Sequence, residues 1–185
     1  MKTWTVLFAI AAIAAAQDKA KAPPPRPGLT LTTSAFEDGG IIPNKYTQAD
    51  PNPVSPKLDW TNVPPNTMSF VLYMHDPDVA LQKKTDDMLH WILFNIPGEA
   101  RSLPEGVPIN SQPSDGAVQI KNGGGVIGYR GPGAPAVGPY HHYTFELFAL
   151  DIKLELGPDA TRADVMKAID GHILGKGVLS ARFHR

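Results

Sequence analysis

Two polar side chains that can bind ligands or move protons lie next to strand-like apolar runs. Asp76 lies in the sequence HDPD (75–78), directly after the run SFVLYM (69–74), and His90 opens the run HWILFNI (90–96). Polar residues at strand ends lie at the rim of a sheet, where binding pockets are commonly built. Two simpler interpretations stay open, because Asp-Pro is an ordinary turn signal and a histidine among apolar residues is most often a hydrogen-bonded core residue.

A loop rich in glycine and proline leads into a pair of adjacent histidines. Residues 128–143 read GYRGPGAPAVGPYHHY. Glycine permits close backbone approach, proline fixes turns, and successive N–H groups in such a loop can form an anion-binding nest. Along a strand, His141 and Tyr143 point to one face and His142 to the other. Only one of the two histidines is therefore expected to line a given pocket.

Other chemistries find little support in the sequence. It contains no G-x-S-x-G elbow, no phosphate loop and no H-E-x-x-H zinc motif. The absence of cysteine removes thiol catalysis, disulfides and Cys-ligated zinc. His75, Asp76, His90 and His141 are of metal-ligating types, but no tight spacing joins them, so no metal is expected. With 17 basic and 18 acidic residues the net charge is −1, which disfavours nucleic acid as a partner.

The N-terminus is typical of an exported protein. A short positive start, Met1-Lys2, precedes an uncharged apolar run (4–16) that ends in three alanines before Gln17. This pattern predicts a signal peptide over residues 1–16 and export to the periplasm or the medium. A membrane anchor or a buried helix is the alternative, but the run is shorter than the roughly 20 residues that span a bilayer. No other segment resembles a membrane span, so none is expected after cleavage.

The remainder divides into a leader and one folded domain. Residues 17–28 (QDKAKAPPPRPG) predict a Pro-rich disordered leader, and residues 29–185 predict a single domain. Within it, Thr161 is suited to an N-cap, Asp164 to the first turn of a helix and Gly171 to its end. The pattern indicates an antiparallel or mixed sheet with one or two late helices and with strands near 29–34, 57–60, 69–74, 90–96, 143–150 and 177–184.

Taken in order, these motifs resemble the phosphatidylethanolamine-binding protein family, and within it the bacterial Raf-kinase-inhibitor-like branch. The matching segments are DPD after a strand, HWILFNIP, GYRGPGAP, GPYHHYTFELFALD and GHILGKGVL, and the resemblance runs from about residue 29 to 184. It implies a mainly β fold: a β-sandwich with a large central sheet, a smaller sheet and one or two short C-terminal helices. It also implies a pocket for phosphate, carboxylate or phosphoethanolamine-type head groups, without a cofactor.

The resemblance carries pocket roles to individual residues. His90 and His141 are expected to donate hydrogen bonds to an anion, and Asp76 to accept from a histidine N–H and to attract an ammonium group. The family's final proline of D-P-D-A-P is Ala80 here, and one proline of its Gly/Pro loop is Ala134. Both changes put ligand size in question more than ligand class. The full set of expected ligand-binding residues is Asp76, His90, Gly133, Pro135, His141 and Tyr143.

The expected function is non-enzymatic binding of a small anionic or phospholipid head-group ligand. The first alternative is inhibition of a protein partner, since relatives in the family are known as kinase or protease inhibitors. A protease suits an exported chain better than a kinase, because the periplasm and the medium lack ATP. The second alternative is weak hydrolysis by a histidine-activated water, although the pocket lacks an obvious nucleophile.

Overall fold

The computed structural model describes residues 27–185 except for residues 82, 84 and 115, so the predicted signal peptide and nearly all of the leader lie outside it. Within the described residues no helix is both long and apolar enough to cross a membrane. A short 3-10 helix spans Asn44–Tyr46. The regular elements, in chain order, are β1 (Thr30–Thr32), β2 (Leu58–Thr61), β3 (Ser69–Asp76), β4 (Met88–Pro97), β5 (Ser102–Leu103), β6 (Val118–Gln119), β7 (His141–Leu150), α1 (Arg162–Ile169) and β8 (Ile173–Phe183).

The strands form two antiparallel sheets, as the sandwich expectation requires. The large sheet has the order β6-β4-β3-β7-β8, and the small sheet has the order β1-β2-β5. The sequence pattern left open whether the sheets are antiparallel or mixed. They are antiparallel, because every pairing between these strands runs in that sense. Strands β3, β7 and β4 lie in the middle of the large sheet, which explains why their sequences are nearly continuous apolar runs.

Both faces of the large sheet are buried, each in its own core. On one face the sheets pack together, and Trp60 of β2 meets Phe70 of β3 edge to face with ring centroids 5.4 Å apart. On the other face Val71 belongs to a second cluster with Val165 and Ile169 of α1. The helix therefore covers the side of the large sheet that the small sheet leaves open.

The helix begins as predicted. The Thr161 hydroxyl accepts from the Asp164 N–H, and the Asp164 side chain accepts in return from the Thr161 N–H, which completes a capping box. Gly171 follows the helix with φ +81°, a conformation that favours glycine. The described residues contain this one α-helix, and it precedes the last strand instead of ending the chain.

Element boundaries differ from the sequence prediction in several places, and β4 and β8 begin at Met88 and Ile173, ahead of the predicted starts at residues 90 and 177. Strand β7 begins at His141, which pairs with Phe183 of β8, instead of at Tyr143. Strands β5 and β6 were not predicted, because each has only 2 residues and carries no readable alternation. The earlier start of β7 matters for function, because it fixes the His141 backbone within the sheet.

Candidate functional site

The order of the central strands brings the predicted site residues together. Strand β3 is paired with β4 on one side and with β7 on the other, and both neighbours run antiparallel to it. The end of β3, Asp76, therefore lies beside the starts of β4 and β7, where His90 and His141 are found. Three segments that are distant in sequence meet at one edge of the sheet.

A cavity of about 150 Å³ opens at this edge. Every residue predicted to bind ligand lines it, together with Ala134, whose methyl group stands where the family has a proline. Ala80, the other departure, is exposed and does not line the cavity. Four lining residues were not predicted, and these are Gln48, Val79, Met88 and Arg130.

Asp76 and His141 form a buried pair. The Asp76 Oδ2 lies 2.8 Å from His141 Nδ1, and Oδ1 accepts a 2.9 Å bond from the Asp78 N–H. The side chain of Asp76 is 3% exposed and that of His141 is 18% exposed. Asp76 therefore closes the predicted turn and also holds a histidine at the cavity wall, so one residue can serve both as a turn residue and as part of a pocket. The pairing leaves Nε2 as the His141 nitrogen available to a ligand.

His142 has a separate environment, as the strand alternation predicts. Its side chain is exposed, and its N–H and Nδ1 lie 2.6 and 3.0 Å from Asp78 Oδ2. It does not line the cavity, whereas His141 and Tyr143 both do. One turn thus holds the adjacent histidines through two different carboxylates, and only His141 belongs to the candidate site.

His90 is arranged differently from the sequence expectation. Its Nδ1 lies 2.8 Å from the Arg130 carbonyl oxygen, so Nδ1 carries the proton, and the Arg130 N–H donates back to the His90 carbonyl at 3.0 Å. Burial lowers the pKa of His90 and outweighs the bond to that carbonyl, which acts in the opposite direction. At neutral pH His90 is therefore uncharged, so its other ring nitrogen can only accept a hydrogen bond and cannot donate one to an anion.

Tyr143 uses its hydroxyl oxygen to order the Gly/Pro loop. The oxygen accepts from the N–H groups of Gly133 at 3.3 Å and Ala134 at 3.2 Å. Burial, followed by the nearby charge of Asp76, raises the pKa of Tyr143 to about 12, so the phenol stays protonated at physiological pH. The predicted anion-binding nest would need these two N–H groups, but both already donate to Tyr143. Only side chains therefore remain to contact an anion.

Replacing Tyr143 with phenylalanine is expected to lower the free energy of unfolding by about 1–3 kcal/mol. The change removes the acceptor for both amides and leaves the buried N–H of Ala134 unsatisfied. Urea unfolding of Y143F measures the loss. The matched control is Y140F, because Tyr140 is exposed and its ring meets that of His184 edge to face with centroids 4.0 Å apart. Equal stability of both variants and the parent would contradict the assigned role of the hydroxyl.

Gln48 fixes the loop from a distant part of the chain. Its Nε2 donates to the Gly131 carbonyl and its N–H donates to the Pro132 carbonyl, both at 2.8 Å. A Cβ atom on Gly131 would lie 2.8 Å from the Tyr46 carbonyl oxygen, and one on Gly133 would overlap the Gln48 side chain. Only glycine fits this close approach, which gives the predicted glycine-rich pattern its physical reason.

Arg130 supplies a permanent positive charge to the cavity wall. Its guanidinium lies against the Cα atom of Gly124, where a side chain would collide with it. Among the described residues it has no hydrogen-bond or ion-pair partner. No group of three or more His, Asp or Glu side chains in the same part of the chain is arranged to hold a metal ion. The site therefore combines a buried carboxylate, two differently held histidines and one unpaired cation.

Comparison with known proteins agrees with this architecture. The family model for phosphatidylethanolamine-binding proteins matches residues 32–184. A UPF0098 protein of Methanothermobacter thermautotrophicus is 41% identical over 157 residues, which cover 85% of this chain and 99% of the relative. Another from Aquifex aeolicus is 38% identical over 158 residues, covering 85% and 89%.

Solved structures share the fold. The crystal structure of a putative phosphatidylethanolamine-binding protein homologue from Chlamydia trachomatis superposes with a TM-score of 0.73 at 32% identity, covering 85% of this chain and 98% of the other. A member of the same family from Escherichia coli superposes with a TM-score of 0.76 at 23% identity, covering 86% and 99%, and supports the fold alone. The chain belongs to the phosphatidylethanolamine-binding protein family.

Proposed function

We propose that the protein binds, without turning over, a small ligand that carries an anionic group and a hydrogen-bond donor, such as a phosphoethanolamine-type head group. The observation that carries the proposal is the mixed polarity of the cavity wall. Arg130 and His141 favour an anion, whereas the neutral His90 beside them accepts a hydrogen bond. A phosphate or carboxylate that also presents an O–H or N–H meets both requirements.

His141 is the principal donor in this arrangement. Asp76 holds its Nδ1, and a protonated ring then offers Nε2–H to a ligand oxygen. Hydrogen bonds between charged partners contribute about 1.5–3 kcal/mol each, and desolvation offsets part of that gain. An affinity in the micromolar to millimolar range follows for a ligand small enough for a cavity of about 150 Å³.

The hydroxyl in the cavity supports binding more than covalent catalysis. It belongs to Tyr143, whose pKa of about 12 keeps it protonated and whose oxygen accepts from two backbone amides. Such an oxygen is a poor nucleophile, because its lone pairs are engaged and its proton has no base with a matching pKa.

An NMR titration of the histidine side chains tests the proposal. On addition of phosphoethanolamine, and separately of acetate, we expect saturable shifts for His90 and His141. His172 is the internal control, because it pairs with Asp151 at the end of β7 that is far from His141. Absence of any response at millimolar ligand, or equal responses from His172, would overturn the proposed function.

The same titration, repeated across pH, tests the protonation state. Acetate binding is expected to weaken as pH rises from about 5.5 to about 8, because histidine is the side-chain type that changes charge in this range. The lowered pKa of His90 implies that this ring adds its charge only at the acidic end of that range. An affinity for acetate that stays constant across this pH range would contradict the proposal that a charged histidine binds the anion. Arg130 would then be the group that binds it.

A further inference from the structure

A methionine lies among the polar groups of the candidate site. Met88 begins β4, pairs with Asp76 of β3 and precedes His90 by two residues, and its side chain lines the same cavity as both. Met88 is partly exposed, so small solutes that enter the cavity can reach it. A thioether is the one group in this wall that mild oxidants modify readily.

The Met88 sulfur and the Arg130 guanidinium pack against adjacent glycines. A Cβ atom on Gly123 would collide with Met88 Sδ, and a Cβ atom on Gly124 would collide with the guanidinium. Both side chains also line the candidate cavity. A thioether is only a weak hydrogen-bond acceptor, so it leaves the donors of Arg130 available to a ligand.

Oxidation would give this sulfur a strong acceptor atom. In the reaction with hydrogen peroxide, a sulfur lone pair attacks one peroxide oxygen, an S–O bond forms and the O–O bond breaks. The proton on the attacked oxygen passes to the departing hydroxide, which leaves as water. The sulfur is oxidised by two electrons and the peroxide is reduced. The product, methionine sulfoxide, is polar where the thioether was apolar.

We propose that Met88 is an oxidation site that controls anion binding, because its sulfoxide oxygen accepts hydrogen bonds from Arg130 and takes up space in the small cavity. The added oxygen then competes with the anion for the same donor in a cavity of about 150 Å³. This inference rests on the proposed function, since it assigns Arg130 to the anion. It adds a modification site and a means of regulation by peroxide.

Two other methionines provide internal comparisons. Met74 is fully buried and therefore protected from peroxide. Met68 is 52% exposed and should be oxidised readily, but it lies just before the start of β3, whereas Asp76 and the cavity lie at the other end of that strand. Oxidation of Met68 is therefore expected to leave anion binding unchanged.

Isothermal titration with acetate, before and after treatment with hydrogen peroxide, tests the inference. Peptide mass spectrometry identifies which methionines have gained an oxygen atom. We expect the affinity of the parent for acetate to fall about tenfold once Met88 is oxidised, since a hydrogen bond from a charged donor is diverted. Reduction by methionine sulfoxide reductases should restore the affinity, which separates a reversible modification from damage.

Two variants, each compared with its own untreated sample, locate the effect. M88L has no sulfur at this position, so peroxide should not change its affinity, whereas M68L should respond as the parent does. Oxidation of Met68 without Met88, undiminished affinity after Met88 is oxidised, or an equal loss in treated M88L would each refute the inference and leave the proposed function intact. Failure of the untreated parent to bind acetate would overturn both.

Discussion

Replacing His141 with alanine is expected to weaken binding of acetate and of phosphoethanolamine by about ten- to a hundredfold. The substitution removes Nε2, the proposed charge-assisted donor to the ligand. Isothermal titration at about pH 6 measures the change. His142→Ala is the matched control, because its side chain is exposed and pairs with Asp78 outside the cavity.

A second variant separates binding from stability. Alanine at position 141 leaves the buried carboxylate of Asp76 without the partner now 2.8 Å away. His141→Asn keeps an N–H donor near the position of Nδ1 but has no atom equivalent to Nε2. We expect His141→Asn to fold as the parent does and to bind acetate as weakly as His141→Ala does. Undiminished binding by His141→Asn, or an equal loss in His142→Ala, would contradict the assigned role.

Replacing Asp87 with alanine is expected to lower the free energy of unfolding by about 2 kcal/mol, a value between those for exposed and for fully buried ion pairs. Asp87 accepts from His75 Nδ1 at 2.5 Å and is ion-paired with Arg162 of α1. The same guanidinium donates to the Tyr73 hydroxyl at 3.0 Å. The stability is lost because the Asp87 carboxylate connects α1 to the face of β3 that the helix covers.

The neighbouring carboxylate gives a close control. Asp86 is 63% exposed and lies 3.7 Å from Arg162, whereas Asp87 is 21% exposed. Urea unfolding of D86A should therefore show a loss below about 0.5 kcal/mol. Similar losses in D86A and D87A would show that screened surface charge, and not the Asp87 contacts, stabilises this region.

The effect of Asp87 also has a defined pH dependence. Burial acts to raise the pKa of Asp87, but the hydrogen bonds from His75 and Arg162 outweigh it and hold the pKa below its usual value. A carboxylate with a lowered folded pKa stabilises the protein fully above its unfolded pKa, near 3.9, and loses that contribution as pH falls further. The difference between D87A and the parent should therefore be largest near neutral pH and shrink in acid.

Local patterns in the sequence predicted most of the fold. The capping residue Thr161, the apolar runs of β3 and β4 and the alternation of His141 with Tyr143 are short-range features that fix local geometry. The sequence specifies β5 and β6 least, because their pairing depends on neighbouring strands that have already formed. Propensity has little influence over so short a length.

The site was only partly predictable, for a related reason. Asp76, His90 and His141 stand at strand ends, which a sequence can mark, and the family resemblance supplied their shared pocket. Gln48 and Arg130 carry no such mark, because their importance comes from contacts with segments far along the chain. The neutral state of His90 could not be predicted from the sequence either, because it results from burial of the ring in the folded protein.

The strand order has a consequence for how the pocket comes into existence during folding. Strand β3 pairs with β7 across a sequence separation of more than sixty residues, and the loop that closes the cavity is held by Gln48 from still further away. Such non-local pairings form late, because loop-closure entropy must be overcome first. Half-folded chains therefore lack the complete cavity. A ligand bound at the proposed site would stabilise the completed sheet and slow its opening, without speeding its formation.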